Sequence, residues 1–408
     1  MSLEIRAALQ QHGLTPRVLS RVYGLGGRDF FEQDALELLE TCYQDDAPIF
    51  DYLGAYPGQE DYQFKPYFSP VEGQDASPGL TRCAMEDDKL VVHGGGVRET
   101  TAMPKRLAPG HGACPGCGIP VNVNLLLRGI EGNVVLLFQT GCGMVVTTGY
   151  PKTAFKVPYV HNLFQNGAAT LGGLANMYHQ RQQRGELPKG EITFIMVSGD
   201  GGMDIGMGSA LGSALRGDPL ILLEYDNGGY MNTGYQLSYS TPLGAKSATS
   251  HLGSAQWGKS FFHKDTPQIM AATGMPYVAT AAESNPADFI RKAAKAQYYA
   301  KEHGTAYLKC LSACPLNWGD PPNTERQVIA AAVDCCYFPL YEVERGCTTL
   351  SYDPEARNKK RPVEDWLSKM GRTRHLCSEE MRPVREHIQH EVDRRWARLK
   401  ARAESPIL

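Results

Sequence analysis

The chain has 408 residues, 42% of them hydrophobic and 21% charged, with a formal net charge of −3. That near-neutral balance gives no electrostatic case for nucleic acid or an anionic membrane surface. No apolar run approaches the roughly 18 residues of a membrane span, and the opening MSLEIRAALQQHG lacks a signal peptide's apolar core, so a cytoplasmic protein is expected.

Residues 1–105 read as an N-terminal extension. It opens on one amphipathic stretch and holds a second, FFEQDALELLETC, with an apolar stripe of Phe31, Leu36, Leu38 and Leu39. Between about Asp45 and Lys105 lie many Pro, Gly, Tyr and Asp residues with little periodicity, as in a wrapping segment or a partner-binding arm. The Gly-rich HGGG after KLVV precedes no clear helix and reads as a loop.

From about Leu107 the texture changes. VVLLFQT is a short apolar run ending at Gly141, which predicts a buried parallel strand. AATLGGLANMYHQRQ reads as a helix, ITFIMVS as a second buried strand, residues 205–216 as a helix rich in small residues, and LILLEY as a third strand. A helix near Gln268–Ala272 and a strand at Tyr277–Thr280 follow. The next helix is capped by Ser284 or Asn285, carries Pro286 in its first turn and stops at Gly304; TAYLKCL is the last strand. Strands alternating with helices predict an α/β fold, a mainly parallel sheet covered by helices on both faces. That domain is placed at residues 106–345, with a polar C-terminal tail at 346–408 ending in a charged surface helix around 378–403.

The most informative segment is SGDGGMDIGMGSALGSALRGDPLILLEYDNGGYMNTG. Asp200, between Gly199 and Gly201, stands at the carboxyl end of one strand, and Asn227 stands 27 residues later at the end of the next. One βαβ crossover puts both on the sheet edge where α/β proteins bind ligands. Magnesium takes hard oxygen ligands in an octahedron and usually keeps a phosphate among them. A carboxylate, an amide oxygen and a backbone carbonyl supply such ligands, while the glycines admit a diphosphate to the helix N-terminus. A bare GDG would as readily be a ligand-free turn. The spacing to Asn227 is that of the thiamine-diphosphate motif.

Cysteine supplies a second constellation. In a reducing compartment clustered Cys points to metal or cluster binding rather than to disulfides. The chain has 11 Cys, and GHGACPGCG places Cys114 and Cys117 so that one loop can bite a metal centre; Cys142 follows in QTGCGM. Thiolates suit iron–sulfur clusters or zinc. From the CxxC alone, zinc, a redox dithiol and a cluster all remain open. Cys83, Cys335, Cys336, Cys347 and Cys377 have no such context.

The run NTGYQLSYSTPLGA after Asn227–Tyr230 closely resembles the 2-oxoacid:acceptor (ferredoxin) oxidoreductases, over roughly residues 107–375. The resemblance implies the thiamine-diphosphate-binding beta subunit, with Asp200, the Asn227 side chain and the Gly229 carbonyl as magnesium ligands. It further implies that Asn232 reaches the cofactor's reactive carbon and the substrate. The family's GHxxCxGCG opening, a third Cys about 25 residues on and a closing Cys-Pro correspond to Cys114, Cys117, Cys142 and, in SACPLNWG, Cys314. The four would bind a [4Fe–4S] cluster beside the cofactor. Cys310 is the rival fourth ligand and a structural zinc the rival metal. Gly141 and Gly143 would let the Cys142 loop lie against the cofactor, and HNLFQNGAATLGG resembles the family's helix beneath the diphosphate.

The activity so implied is oxidative decarboxylation of a 2-oxoacid with coenzyme A to acyl-CoA and carbon dioxide, phenylglyoxylate and pyruvate being the two candidate substrates. Electrons would leave through the cluster to ferredoxin or NAD by way of partner subunits: a catalytic alpha-type subunit, an acyl-transfer gamma-type subunit and a ferredoxin-like cluster subunit. The Glu that activates thiamine would come from the partner, since Glu224 lies inside its strand. VYGLGGRDF looks like the segment closing the family's other catalytic subunit, which makes the extension a docking piece. Two alternatives stand against this: a non-oxidative thiamine decarboxylase or synthase, which predicts no cluster, and a zinc-bearing scaffold subunit, which predicts no thiamine.

Overall fold

The computed structural model describes residues 81–86, 89–102, 106–108, 110–147, 154–187 and 190–405. The two stretches read as amphipathic and the VYGLGGRDF segment lie outside the described residues. The described part begins with a hairpin in which β1 (Arg82–Glu86) pairs antiparallel with β2 (Lys89–His93). HGGG is a loop, as expected. A side chain on Gly95, at φ +80°, would meet Arg291 Cγ at 3.0 Å, so the loop packs closely on the body.

Apolar runs of six to eight residues form the strands of the main sheet. In chain order the elements are α1 (Gly118–Arg128), β3 (Asn133–Gln139), α2 (Cys142–Thr147), β4 (Tyr159–Asn162), α3 (Gly167–Gln183), β5 (Ile192–Gly199), α4 (Asp200–Arg216) and β6 (Leu220–Asp226). A long loop carrying the short pair β7 (Leu252–Gly253) and β8 (Gln256–Trp257) leads to α5 (Thr266–Ala271), β9 (Tyr277–Ala282), α6 (Pro286–Glu302) and β10 (Ala306–Leu311). Then come α7 (Pro315–Trp318), α8 (Glu325–Asp334), β11 (Tyr341–Glu344), β12 (Cys347–Leu350), α9 (Val363–Leu367) and α10 (Arg382–Glu404).

The sheet runs β12-β11-β9-β10-β6-β5-β3-β4. From β4 to β9 every pairing is parallel, and β11 and β12 close one edge as an antiparallel hairpin. The fold is therefore the expected α/β sheet with helices on both faces. Residues 346 onward do not begin as a separate tail, because β12 belongs to this sheet. The terminal helix does not merely lie on the surface either: Ile388, Val392, Trp396 and Leu399 are buried in the same apolar cluster as Leu220 and Leu222.

Alternation along the strands assigns the two faces. Leu220 and Leu222 of β6, with Tyr307 and Leu311 of β10, join the α3, α4 and α10 side. Ile221, Leu223 and Tyr225, with Ala306, Leu308 and Cys310, join the α1 and α6 side. Close helix–sheet approach explains two small residues of α3. A Cβ on Gly167 would fall 2.5 Å from Gln139 Cγ, and one on Gly172 would clash with Asp218. The helix expected at 205–216 starts at Asp200 instead, so the GDG glycines are its first turn. Chain order changes direction between β3 and β5, which leaves a crevice at their carboxyl edge.

Candidate active site

Parallel register sets the site. Ser198 pairs with Glu224 and Gly199 with Tyr225, so Asp200 and Asp226–Asn227 leave the sheet side by side. Asp200 is fully buried at the start of α4. Its carboxylate accepts the backbone N–H of Gly229 at 2.9 Å, that of Asn227 at 3.3 Å, and the Ser238 hydroxyl at 2.5 Å. The glycines beside it are needed for space: a Cβ on Gly201 would strike the Tyr230 ring, and one on Gly202 would lie 2.5 Å from Ser198 Oγ. Burial first, and Asp226 second, push the Asp200 carboxyl up to about 8. Held as an anion, it calls for a cation beside it.

One end of the Asn227 carboxamide lies 3.0 Å from Asp200 Oδ1 and 3.0 Å from the Gly229 carbonyl oxygen. With the NH₂ there it donates to both. With the amide oxygen there, three oxygens converge. Bonds of 2.0–2.1 Å in an octahedron set neighbouring ligand oxygens about 2.9 Å apart, which the two 3.0 Å separations match.

The loop after Asn227 braces that geometry. Ser238 N donates to Thr241 Oγ1 at 2.8 Å, and that hydroxyl donates to the Gly228 carbonyl at 2.9 Å. From outside the loop, Lys264 Nζ donates to the Asp200 carbonyl at 2.8 Å. The Trp318 indole N–H donates to the Asn227 carbonyl at 2.7 Å, and Arg372, stacked 4.5 Å from the Trp318 ring, donates to the Gly228 carbonyl at 3.1 Å. Ser238 and Thr241 were present in the motif as its polar positions. Lys264, Trp318 and Arg372 are remote in sequence and carried no local signal.

The four cysteines come together from three places. Cys117 caps α1, Cys142 begins α2 and Cys314 precedes α7. The CPGC turn lies against the Cys314 loop, since Gly118 N donates to the Ala313 carbonyl at 3.1 Å and a Cβ on Gly116 would lie 2.5 Å from the Pro322 carbonyl oxygen. Burial pushes the Cys117 and Cys142 thiols up to about 12, and neighbouring thiols add to it: Cys314 and Cys114 act on Cys117, and Cys314 and Cys117 on Cys142. Cys314 is likewise raised by burial and feels Cys114. Cys310 is apart, fully buried on the α1 and α6 side and acted on by Glu283, Asp226 and Glu224 rather than by any of the four. Among the described residues no three His, Cys, Asp or Glu side chains converge on a single ion.

The two constellations adjoin. Burial raises the Cys142 thiol, the Asn232 backbone N–H offsets part of that rise and the Asp200 charge adds to it. Asn232 itself is exposed at the edge. Tyr225 stands between them, its hydroxyl accepting from Gly143 N at 2.9 Å. A Cβ would meet this tyrosine at 3.0 Å from Gly141 and 2.9 Å from Gly143. The glycines read as making way for a cofactor are thus required by the Tyr225 ring. Glu224 is not aimed at this edge: it is fully buried on the other face, 3.2 Å from Lys309 and 3.6 Å from Lys264, and accepts from Tyr307 at 2.5 Å.

A thiamine pyrophosphate enzyme C-terminal TPP-binding domain matches residues 141–310, which spans this edge from the Cys142 loop to β10. The pyruvate synthase subunit PorB of Methanocaldococcus jannaschii is 40% identical over 283 residues, covering 69% of this chain and 93% of that protein. The chain belongs to the 2-oxoacid:ferredoxin oxidoreductase family, as a thiamine-diphosphate-binding beta subunit. Within the family, the ketoisovalerate oxidoreductase subunit VorB of Pyrococcus furiosus is 31% identical over 310 residues, covering 75% of this chain and 96% of its own. Among solved structures, a 2-oxoglutarate:ferredoxin oxidoreductase from Magnetococcus marinus aligns over 52% of this chain and 66% of its own, with 22% identity and a TM-score of 0.40. As a beta subunit of this family the chain binds thiamine diphosphate and works within a multi-subunit oxidoreductase. No helix among the described residues is long and apolar enough to cross a membrane.

Proposed function

We propose that this subunit serves the oxidative decarboxylation of a 2-oxoacid with coenzyme A, giving acyl-CoA, carbon dioxide and two electrons for ferredoxin or NAD on partner subunits. The observation that carries this is Tyr225, whose hydroxyl accepts from Gly143 N, next to Cys142, at 2.9 Å while its ring packs against Gly199, next to Asp200, which sets the Cys142 loop against the diphosphate edge. A non-oxidative enzyme needs no such neighbour. Asp200, Asn227 and the Gly229 carbonyl would hold magnesium, and Gly199 and Gly201 would let the diphosphate approach α4. Gly141 and Gly143 would keep the Cys142 loop alongside. Cys114, Cys117, Cys142 and Cys314 would hold a [4Fe–4S] cluster, and exposed Asn232 would face the substrate. Bound thiamine diphosphate supplies the electron sink for loss of carbon dioxide, and the cluster supplies a one-electron acceptor.

With Glu224 committed to Lys309 and Tyr307, the acid that activates the cofactor belongs to an alpha-type partner subunit. Gamma-type and ferredoxin-like subunits complete the complex, and residues 1–105 form its docking arm, outside the domain at 106–345, whose sheet also takes in β12. The pyruvate and ketoisovalerate enzymes among the relatives favour a small aliphatic 2-oxoacid over phenylglyoxylate. Free thiols in such number suit the cytoplasm.

The test uses anaerobically purified chain with and without its partners. The expected result is a brown protein that releases carbon dioxide only when the partner is added, and an Asp200→Ala variant that loses magnesium-dependent thiamine diphosphate binding while keeping its colour. A colourless protein, or turnover by the chain alone, would overturn the reading.

A further inference from the structure

A cavity of about 330 Å³ lies between the sheet and α10, on the face opposite Cys310. That volume lies within the range of small-molecule sites. Its walls include Phe262, Tyr337 and Trp366, and its polar lining is strongly biased: seven Lys and Arg side chains against three carboxylates. The carboxylates are largely spoken for. Asp226 pairs with Lys309 at 2.7 Å, and Glu391 pairs with Arg394 at 2.6 Å and Arg395 at 2.8 Å. The third, Asp265, caps α5 by accepting from Gln268 N at 3.4 Å.

Among the described residues, three of the cavity's guanidinium groups have no carboxylate partner. Arg402 donates to the Gln268 amide oxygen. Arg398 is exposed on the same helix face, four residues before Arg402 and four after Arg394. Like charges so spaced repel one another along a helix. Arg372 is only 4% exposed, and its Nε has no hydrogen-bond partner although its Nη1 is bonded to backbone carbonyls. A buried donor left unmade is costly unless something accepts from it. His263, also lining the cavity, is kept neutral by burial and by Arg395, so it offers no competing charge.

We propose that this cavity binds a small organic oxyanion, a carboxylate or phosphate carried on an apolar body, with the oxyanion drawn by Arg372, Arg398 and Arg402 and the body against the aromatic walls. The site is separate from the diphosphate edge but joined to it, because Arg372 also donates to the Gly228 carbonyl.

The test is thermal unfolding of the chain saturated with thiamine diphosphate and magnesium, which keeps probes out of the diphosphate site. Benzoate, phenyl phosphate and inorganic phosphate are compared with sodium chloride at matched ionic strength. The expected result is a rise in Tm on the order of 5 °C at a hundredfold excess over Kd with a ring-bearing probe. The rise is lost in the Arg398→Glu/Arg402→Glu double variant and kept in Arg382→Glu, an exposed residue of the same helix outside the lining. A rise with benzoate assigns a carboxylate, and one with phenyl phosphate a phosphate ester. Equal rises with inorganic and phenyl phosphate would overturn the role of the aromatic walls. No rise, or a rise unchanged in the double variant, would overturn the site.

Discussion

The Trp318 indole N–H donates to the Asn227 carbonyl oxygen at 2.7 Å, which ties the loop after Cys314 to the loop after β6. Both partners are buried, and Arg372 stacks on the ring from the far side. Trp318→Phe keeps an aromatic ring there, removes the donor and leaves a small void where the second indole ring lay. A lost hydrogen bond of this kind costs about 1 kcal/mol, so thiamine diphosphate with magnesium should bind roughly fivefold more weakly. Titration calorimetry would read this. Unchanged affinity would mean that the Asn227 loop holds its shape unaided.

Iron content separates the cysteines. Replacing Cys114, Cys117, Cys142 or Cys314 by Ala should remove most of the iron and visible absorption, since three thiolates hold a cube poorly. Cys310→Ala and Cys335→Ala should keep both, because each of these thiols is buried in an apolar cluster. Loss of iron in Cys310→Ala together with its retention in Cys314→Ala would reverse the assignment of the fourth ligand.

The alternating charges under the sheet supply a stability prediction. Asp204, Lys264, Glu224, Lys309 and Asp226 follow one another at 2.5, 3.6, 3.2 and 2.7 Å. Lys309→Met would leave the buried Asp226 carboxylate without its lysine and Glu224 with Lys264 alone, which costs about 3–5 kcal/mol and should lower the Tm by about 5 °C. Lys360→Met, which breaks half-exposed pairs with Glu355 and Asp393, should cost about 1 kcal/mol or less. Calorimetric scans of the two variants would decide it, and equal losses would contradict the burial argument.

Glu283 gives a pH signature. It is 5% exposed, neither carboxylate oxygen has a hydrogen-bond partner among the described residues, and burial, then Glu325, push its carboxyl up to about 8. In the unfolded chain it would ionise near 4.5, its ordinary value. The unfolded state therefore releases a proton that the fold retains, and this group's contribution to stability falls as pH rises from about 4.5 to about 8. Glu283→Gln should match the wild type near pH 4 and exceed it increasingly up to pH 8, by denaturant titration. A difference that does not vary with pH would show that Glu283 is ionised in the fold.

How much of this could be read from the residues depends on distance along the chain. Strands β3, β5, β6, β9 and β10 were legible because each is a mainly apolar run, and the α/β class followed from their alternation with helices. Asp200 and Asn227 were legible because one crossover fixes their relation. The short α2 and the β11–β12 hairpin were not, since neither has a periodic pattern long enough to stand out. Tyr225 looked like one more apolar residue of LILLEY, and its hydroxyl matters only because Gly143 comes from another strand's end. Lys309 looked out of place in TAYLKCL. Its partners lie more than 80 residues earlier in the chain.

The terminal helix has a consequence for where the chain could be shortened. α10 rests on β12, the last strand of the sheet, and is stapled through Lys400 to Glu355 at 2.9 Å. Its charged sequence makes it look dispensable, yet its apolar face covers one face of the sheet. A protein ending near residue 378 would also lay bare the apolar floor now covered by Val392, Trp396 and Leu399. Such a truncation would yield a sticky, self-associating subunit rather than a smaller working one.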